Sequence, residues 1–142
     1  MSVSARNQLS GIVSSIVEGA VNNEVALTLE SGDKLTTVIT RTSCDSMGLA
    51  VGKPAIALVK APWVILASAE CGLNFSARNQ FHGKVSTVAK GAVNSTVQLV
   101  TAGGLTLTST VTNESLEDMH IDVGSELIAL VKASSIILAT RK

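Results

Sequence analysis

The 142-residue chain has no tyrosine, one tryptophan (Trp63) and two phenylalanines (Phe75 and Phe81). Without a series of rings it lacks the stacking platforms on which proteins hold single-stranded nucleic acid. Its core must come from Val, Ile, Leu and Ala, which pack well in sheets and small barrels. Charge is scarce: 15% of residues are charged, and eleven basic side chains are balanced by eleven acidic ones. A scattered, neutral charge set exerts no long-range pull on nucleic acid or an anionic membrane. The two cysteines, Cys44 and Cys71, are too few for a disulfide framework and do not form a close ligand pair. They read as unpaired thiols in a reducing compartment. No apolar run reaches the roughly 18 residues that a membrane helix needs. The opening MSVSARNQLSG has no basic region followed by an apolar stretch, so the expected location is the cytoplasm. A hydrophobic fraction of 46% excludes intrinsic disorder.

The chain is one module written twice. Ser4-Ala5-Arg6-Asn7-Gln8 returns as Ser76-Ala77-Arg78-Asn79-Gln80, and the offset of 72 residues holds without a gap to the end. Gly19-Ala20-Val21-Asn22 returns as Gly91-Ala92-Val93-Asn94, and Ile56–Ala61 as Ile128–Ala133 with all six residues kept. Roughly half of the overlaid positions are identical. The expected domains are residues 1–70 and 71–142, with a linker near 69–74. What two diverging copies keep falls into two classes: apolar residues at alternate positions, read as core, and small polar or glycine segments, read as turns or sites.

Each module reads as five strands and one short helix. Leu9–Glu18, Val25–Leu29 and Leu35–Thr40 are strand-like, separated by turns at Gly19–Asn23 and Ser31–Asp33. Thr42 or Ser43 is expected to cap a helical turn running through Leu49. Ala55–Val59 and Trp63–Ala67 supply the last strands, broken at Ala61-Pro62. Five strands with a helix between the third and fourth is the order of an OB-like barrel. The expected fold is therefore all-β: two tandem OB-like five-stranded barrels. A barrel of about 65 residues buries little surface alone, so the chain is expected to form a homo-oligomer.

Catalytic signatures are missing: there is no HExxH, GxxxxGK[ST] or GxSxG. His82 and His120 lie only in the second module, opposite Ser10 and Gly48, and read as surface residues. Glu18 overlays Lys90 and Asp33 overlays Leu105; Asp45 and Glu117 match but sit on the helical turn, where a solvated acid is ordinary. The chain is not expected to be an enzyme or to hold a bare metal cation, which would need carboxylates, imidazoles or thiolates. The kept polar set is instead rich in donors: the SARNQ pentad, Thr40 and Ser43 with Thr112 and Ser115, and Lys60-Ala61 with Lys132-Ala133. Successive backbone N–H groups among small residues form an anion nest; serine adds a donor and arginine a charged fork. Lys60, beside an apolar strand, needs solvent or a counter-charge. A small dianion accepting hydrogen bonds accounts for the set.

The pentad, the GAVN turn and the VKA–Trp63 element together resemble the molbindin, or Mop-domain, family, in its tandem di-Mop form, over essentially the whole chain. The resemblance implies a trimer of barrels that binds molybdate or tungstate for cytoplasmic storage and homeostasis, with no cofactor besides that ligand. It implies sites shared between modules of different subunits. One side gives Ser4, Arg6 and Asn7 with Ser43, and the facing module gives Lys60 and the backbone of Ala61. By the repeat, Ser76, Arg78, Asn79, Ser115, Lys132 and Ala133 do the same. A second kind of site near the trimer axis falls on Gly19, Val21 and Asn22 and on Gly91, Val93 and Asn94. Both repeats fill the chain, leaving no helix-turn-helix or ATPase domain of the kind some family relatives carry, so no nucleic-acid or membrane partner is expected. Pro62-Trp63 is replaced by Ser134-Ser135, so the two halves are expected to differ. The alternative is an OB-like structural, interaction or nucleic-acid-binding module.

Overall fold

The computed structural model describes residues 2–142. The first repeat forms β1 (Asn7–Glu18), β2 (Asn22–Leu29), β3 (Lys34–Thr40), α1 (Arg41–Ser46), β4 (Pro54–Val59) and β5 (Ile65–Ser68). The second forms β6 (Asn79–Lys90), β7 (Asn94–Thr101), β8 (Thr106–Thr112), α2 (Asn113–Asp118), β9 (Glu126–Val131) and β10 (Ile137–Ala139). A single 3-10 turn, Ala61–Trp63 or Ala133–Ser135, precedes each last strand. The all-β, OB-like reading holds: two curled five-stranded antiparallel sheets, each with one short helix.

The division of the chain differs from the repeat boundary. One compact unit runs up to Val59 and takes in Lys132–Lys142; the other is Lys60–Val131. The first sheet has the order β10-β4-β1-β2-β3 and the second β5-β9-β6-β7-β8. Each repeat thus gives its last strand to the sheet of the other, with Leu138 opposite Ala57 and Leu66 opposite Ala129. The exchange is possible because Ile65-Leu66-Ala67 and Ile137-Leu138-Ala139 are the same sequence, so either segment offers the free edge of β4 or β9 the same side chains. The domains expected at 1–70 and 71–142 describe the repeats; the compact units cut across them.

Period-two burial explains each sheet. In β2, Val25, Leu27 and Leu29 point inward, and in β1, Leu9 and Val13 do. Ala57 and Ala129, both fully buried, keep the centre of each sheet thin. The register of β1 slips between Val13 and Ser15, and β6 does the same between Val85 and Thr87. Such a bulge sharpens strand twist and lets one long strand pair with β4 at its start and β2 at its end. Cys44 fills in α1 the core position that Leu116 fills in α2. Both cysteines are free, with Cys71 exposed.

Candidate functional site

The pentad precedes β1 and is folded back by its own last residue. Gln8 Nε2 donates to the carbonyls of Val3 (3.0 Å) and Ala5 (3.2 Å). Gln80 repeats the clamp on Phe75 (3.0 Å) and Ala77 (3.1 Å). Two carbonyls are thus drawn toward the glutamine. Among the described residues, the N–H groups of Ser4, Ala5 and Arg6 make no backbone–backbone hydrogen bond. Ser4, Arg6, Ser76 and Arg78 are exposed. Asn7 behaves differently from the other expected donors. It is buried, and its Nδ2 donates to Val59 O at 3.2 Å, as Asn79 does to Val131. That bond fastens the start of β1 to the end of β4, and so fixes the pentad's position.

Ser43 belongs to a second cluster. The cap of α1 is Thr40, the last residue of β3, in place of the expected Thr42 or Ser43, because the helix starts directly where the strand ends. Thr40 Oγ1 accepts from the Ser43 N–H at 3.1 Å and donates to the Ser43 hydroxyl at 2.8 Å. Thr112 and Ser115 repeat this at 3.1 and 2.9 Å. Since the Ser43 oxygen accepts from Thr40, its own hydrogen is left to donate outward. Pairing of Asn22 with Thr40, and of Glu18 with Asn23, sets this cap beside the Gly19–Asn22 turn. Arg41 links the two: its N–H donates to Val21 O at 2.8 Å and its Nη1 to Gly19 O at 3.5 Å. Asn113 makes the matching bonds to Val93 and Gly91, both 3.0 Å.

The register therefore brings Ser43 together with Gly19, Val21 and Asn22, and Ser115 with Gly91, Val93 and Asn94. It sets both clusters at the far end of β1 or β6 from the pentad. Val21 and Val93 are each 71% exposed. Sequence reading did not single out Arg41, Asn113 or the Gln8 and Gln80 clamps as positioning residues. The glutamines were in plain view as the fifth kept member of the pentad.

Lys60 and Lys132 directly follow β4 and β9 and are exposed, while Ala61 and Ala133 next to them are buried. The Lys132 turn lies against β3 in one unit and the Lys60 turn against β8 in the other. Lys60 Nζ stands 5.6 Å from the centroid of Trp63. Among the described residues no group of three or more His, Cys, Asp and Glu gathers as metal ligands. His82 and His120 are both exposed, with His120 at φ 52° in the place of Gly48. A groove within the first unit, lined by Gly11, Ile12, Leu29, Met47, Pro54 and Ala139, contains none of the expected site residues.

Fold and repeat together define a tandem pair of OB-like modules, each presenting a clamped pentad, a capped turn and a lysine. The chain belongs to the TOBE-domain family, whose model matches residues 3–66 and again 76–138. It is similar to a crystal structure of the cytoplasmic molybdate-binding protein ModG with molybdate bound, at 45% identity and a TM-score of 0.94, covering 99% of this chain and all of that one. It is 37% identical over its full length to the molybdenum transport protein ModE of Herbaspirillum seropedicae, covering 53% of that protein. It is 39% identical to the molybdenum-pterin-binding protein MopB of Rhodobacter capsulatus, over 96% of this chain and 50% of the relative. The chain spans about half the length of these two curated relatives.

Proposed function

We propose that this protein reversibly binds molybdate or tungstate for storage and homeostasis in the cytoplasm, without a covalent step. The observation that carries the reading is the full-length likeness, at 45% identity, to a molybdate-binding protein holding its ligand. The donor chemistry agrees with it. A tetrahedral dianion offers only acceptors, and the kept groups on this chain are serine hydroxyls, pentad N–H groups, arginine forks and lysine ammoniums.

In this reading Ser4 and Arg6, held by Asn7, and Ser43 bind the oxo groups together with Lys60 and the backbone of Ala61. Ser76, Arg78, Asn79, Ser115, Lys132 and Ala133 form the repeated set. The turn residues Gly19, Val21, Asn22, Gly91, Val93 and Asn94 serve a second kind of site. Ser43 lies at the far end of β1 from Ser4, so one complete set draws on more than one copy of the module. Self-association, as a trimer, supplies the further copies. Its support is apolar exposure kept in both repeats: Val51 and Val123 at 65% and 67%, and Ile65 and Ile137 at 62% and 58%.

Binding replaces water at the oxo groups by fixed donors. Sulfate, a smaller dianion, leaves some of those donors unmet. Hydrogen phosphate brings a proton for which the donor set has no acceptor, a mismatch worth about 1–3 kcal/mol. Equilibrium dialysis against molybdate, tungstate and sulfate, with light scattering on the same sample, tests the reading. Retention of the first two and not of sulfate, at a trimer mass, is expected. No retention of molybdate by a folded sample refutes it.

A further inference from the structure

The two lysine turns have the same backbone form, but four bonds or restraints distinguish them, and all four favour the Lys60 turn. Pro62 occupies the first turn of Ala61–Trp63, where its fixed φ suits the turn; Ser134 stands at the equivalent position. Val64 N–H donates to Ala61 O at 3.2 Å, and Ala133–Ser135 has no matching closing bond from Ile136. The Ser109 hydroxyl, on β8, donates to Val64 O and ties the exit of the turn to the strand beneath it. Its counterpart Thr37 donates instead to Val25 O, inside its own sheet, at 3.2 Å. Finally, the Lys60 ammonium lies over the face of Trp63, whereas Ser135 offers Lys132 no ring.

We propose that Trp63 is a positioning residue that holds Lys60 ready for an oxyanion, so that the Lys60 and Lys132 sites form two classes, the Lys60 class being the tighter. This rests on the reading above, in which both lysines contact the anion. An ammonium over a ring turns one side to the π-face and keeps its remaining N–H donors for oxygen ligands. The ring contact therefore survives binding, and the freedom of a four-carbon stem is restricted before the anion arrives. Preorganisation of that kind raises affinity without adding a contact to the ligand. An exposed cation–π pair is worth about a 2- to 5-fold change in an equilibrium constant.

The test uses the full-length chain and molybdate. K132A retains only the Lys60 class and K60A only the Lys132 class. By calorimetry K132A is expected to bind about 2- to 5-fold more tightly than K60A. Molybdate should change Trp63 emission in K132A and leave it unchanged in K60A. Adding W63S to K132A should remove the advantage, and W63F should restore most of it. In the unliganded chain the Val64 amide should exchange with solvent more slowly than that of Ile136. Equal affinities of K132A and K60A, no effect of W63S, or exchange at Val64 as fast as at Ile136 would each overturn the two-class inference while leaving molybdate binding intact. Absence of heat from the unaltered, folded chain overturns the underlying reading as well, and only that outcome does.

Discussion

The Nε2 of Gln8 lies 3.0 Å from the carbonyl oxygen of Val3, five residues back along the chain. With its second bond to Ala5, it curls the start of the pentad into a loop where, among the described residues, the N–H groups of Ser4, Ala5 and Arg6 make no backbone–backbone hydrogen bond. Gln8 and Gln80 are exposed, and a solvent-facing hydrogen bond contributes about 0.5–1.5 kcal/mol at most. Q8A with Q80A removes two such bonds from each loop, so the melting transition should fall by several degrees. The loop should loosen as well, and molybdate affinity should fall roughly 5-fold through lost preorganisation. Calorimetry alongside thermal unfolding checks both halves; unchanged affinity would remove the pentad from the site.

A second consequence follows from the Gly19–Asn22 turn. A Cβ on Gly19 would sit 2.4 Å from the carbonyl oxygen of Asn22, and one on Gly91 would sit 2.6 Å from that of Asn94. Neither contact can be relieved by a side-chain rotation, since the obstacle is backbone. G19A should therefore shift the turn and break the Arg41 links to Gly19 and Val21, costing about 1–3 kcal/mol. G32A is a useful contrast: its φ of 91° is unfavourable for alanine but nothing stands within 4 Å of the new carbon. Denaturation midpoints should fall for both. Only G19A should also disturb the amides of Arg41 and Val21.

Much of this architecture was legible in the sequence because alternation carries its own physics. Val25, Leu27 and Leu29 are spaced by two and are all buried, as a half-buried strand requires. The exchange of last strands was not legible. Ile65-Leu66-Ala67 and Ile137-Leu138-Ala139 are identical, so pattern and propensity favour neither pairing. The cap was displaced for a similar reason. Thr40, Thr42 and Ser43 all offer a hydroxyl within four residues, and the strand-to-helix junction selects the first. At the candidate site, the kept residue types marked out a donor-rich chemical set. They could not say that Asn7 faces inward to Val59, or that Ser43 and Ser4 stand at opposite ends of β1, because those facts depend on register.

The exchange makes a directional prediction about truncation. A chain ending at Val131 keeps every strand of the Lys60–Val131 unit but deprives the other unit of β10. That unit then loses the buried side chains of Ile136 and Leu138, worth about 1.5–3 kcal/mol each. It also exposes the edge of β4 along Ile56–Leu58, a template for aggregation. Hydrogen exchange should show β1 to β4 losing protection while β6 to β9 retain theirs. Uniform protection across both sets would mean that β10 is dispensable.

Thr40 and Ser43 are bonded to one another, yet substitutions at the two should separate stability from binding. Thr40 Oγ1 supplies the cap, accepting the Ser43 N–H, so T40A should cost about 1 kcal/mol, and T40S should recover most of it. S43A leaves that N–H and its acceptor in place and removes only the hydroxyl whose hydrogen points away from the cap. Its stability should therefore stay close to that of the unaltered chain. If that hydrogen donates to an anionic oxygen, its loss should weaken molybdate binding by about tenfold, the scale of one hydrogen bond to a charged group. S115A should do the same at the repeated cap formed by Thr112. The two measurements, a denaturation midpoint and a calorimetric affinity, must move independently. Should S43A lower the midpoint as far as T40A and leave the affinity unchanged, the serine is part of the cap alone and the anion lies elsewhere.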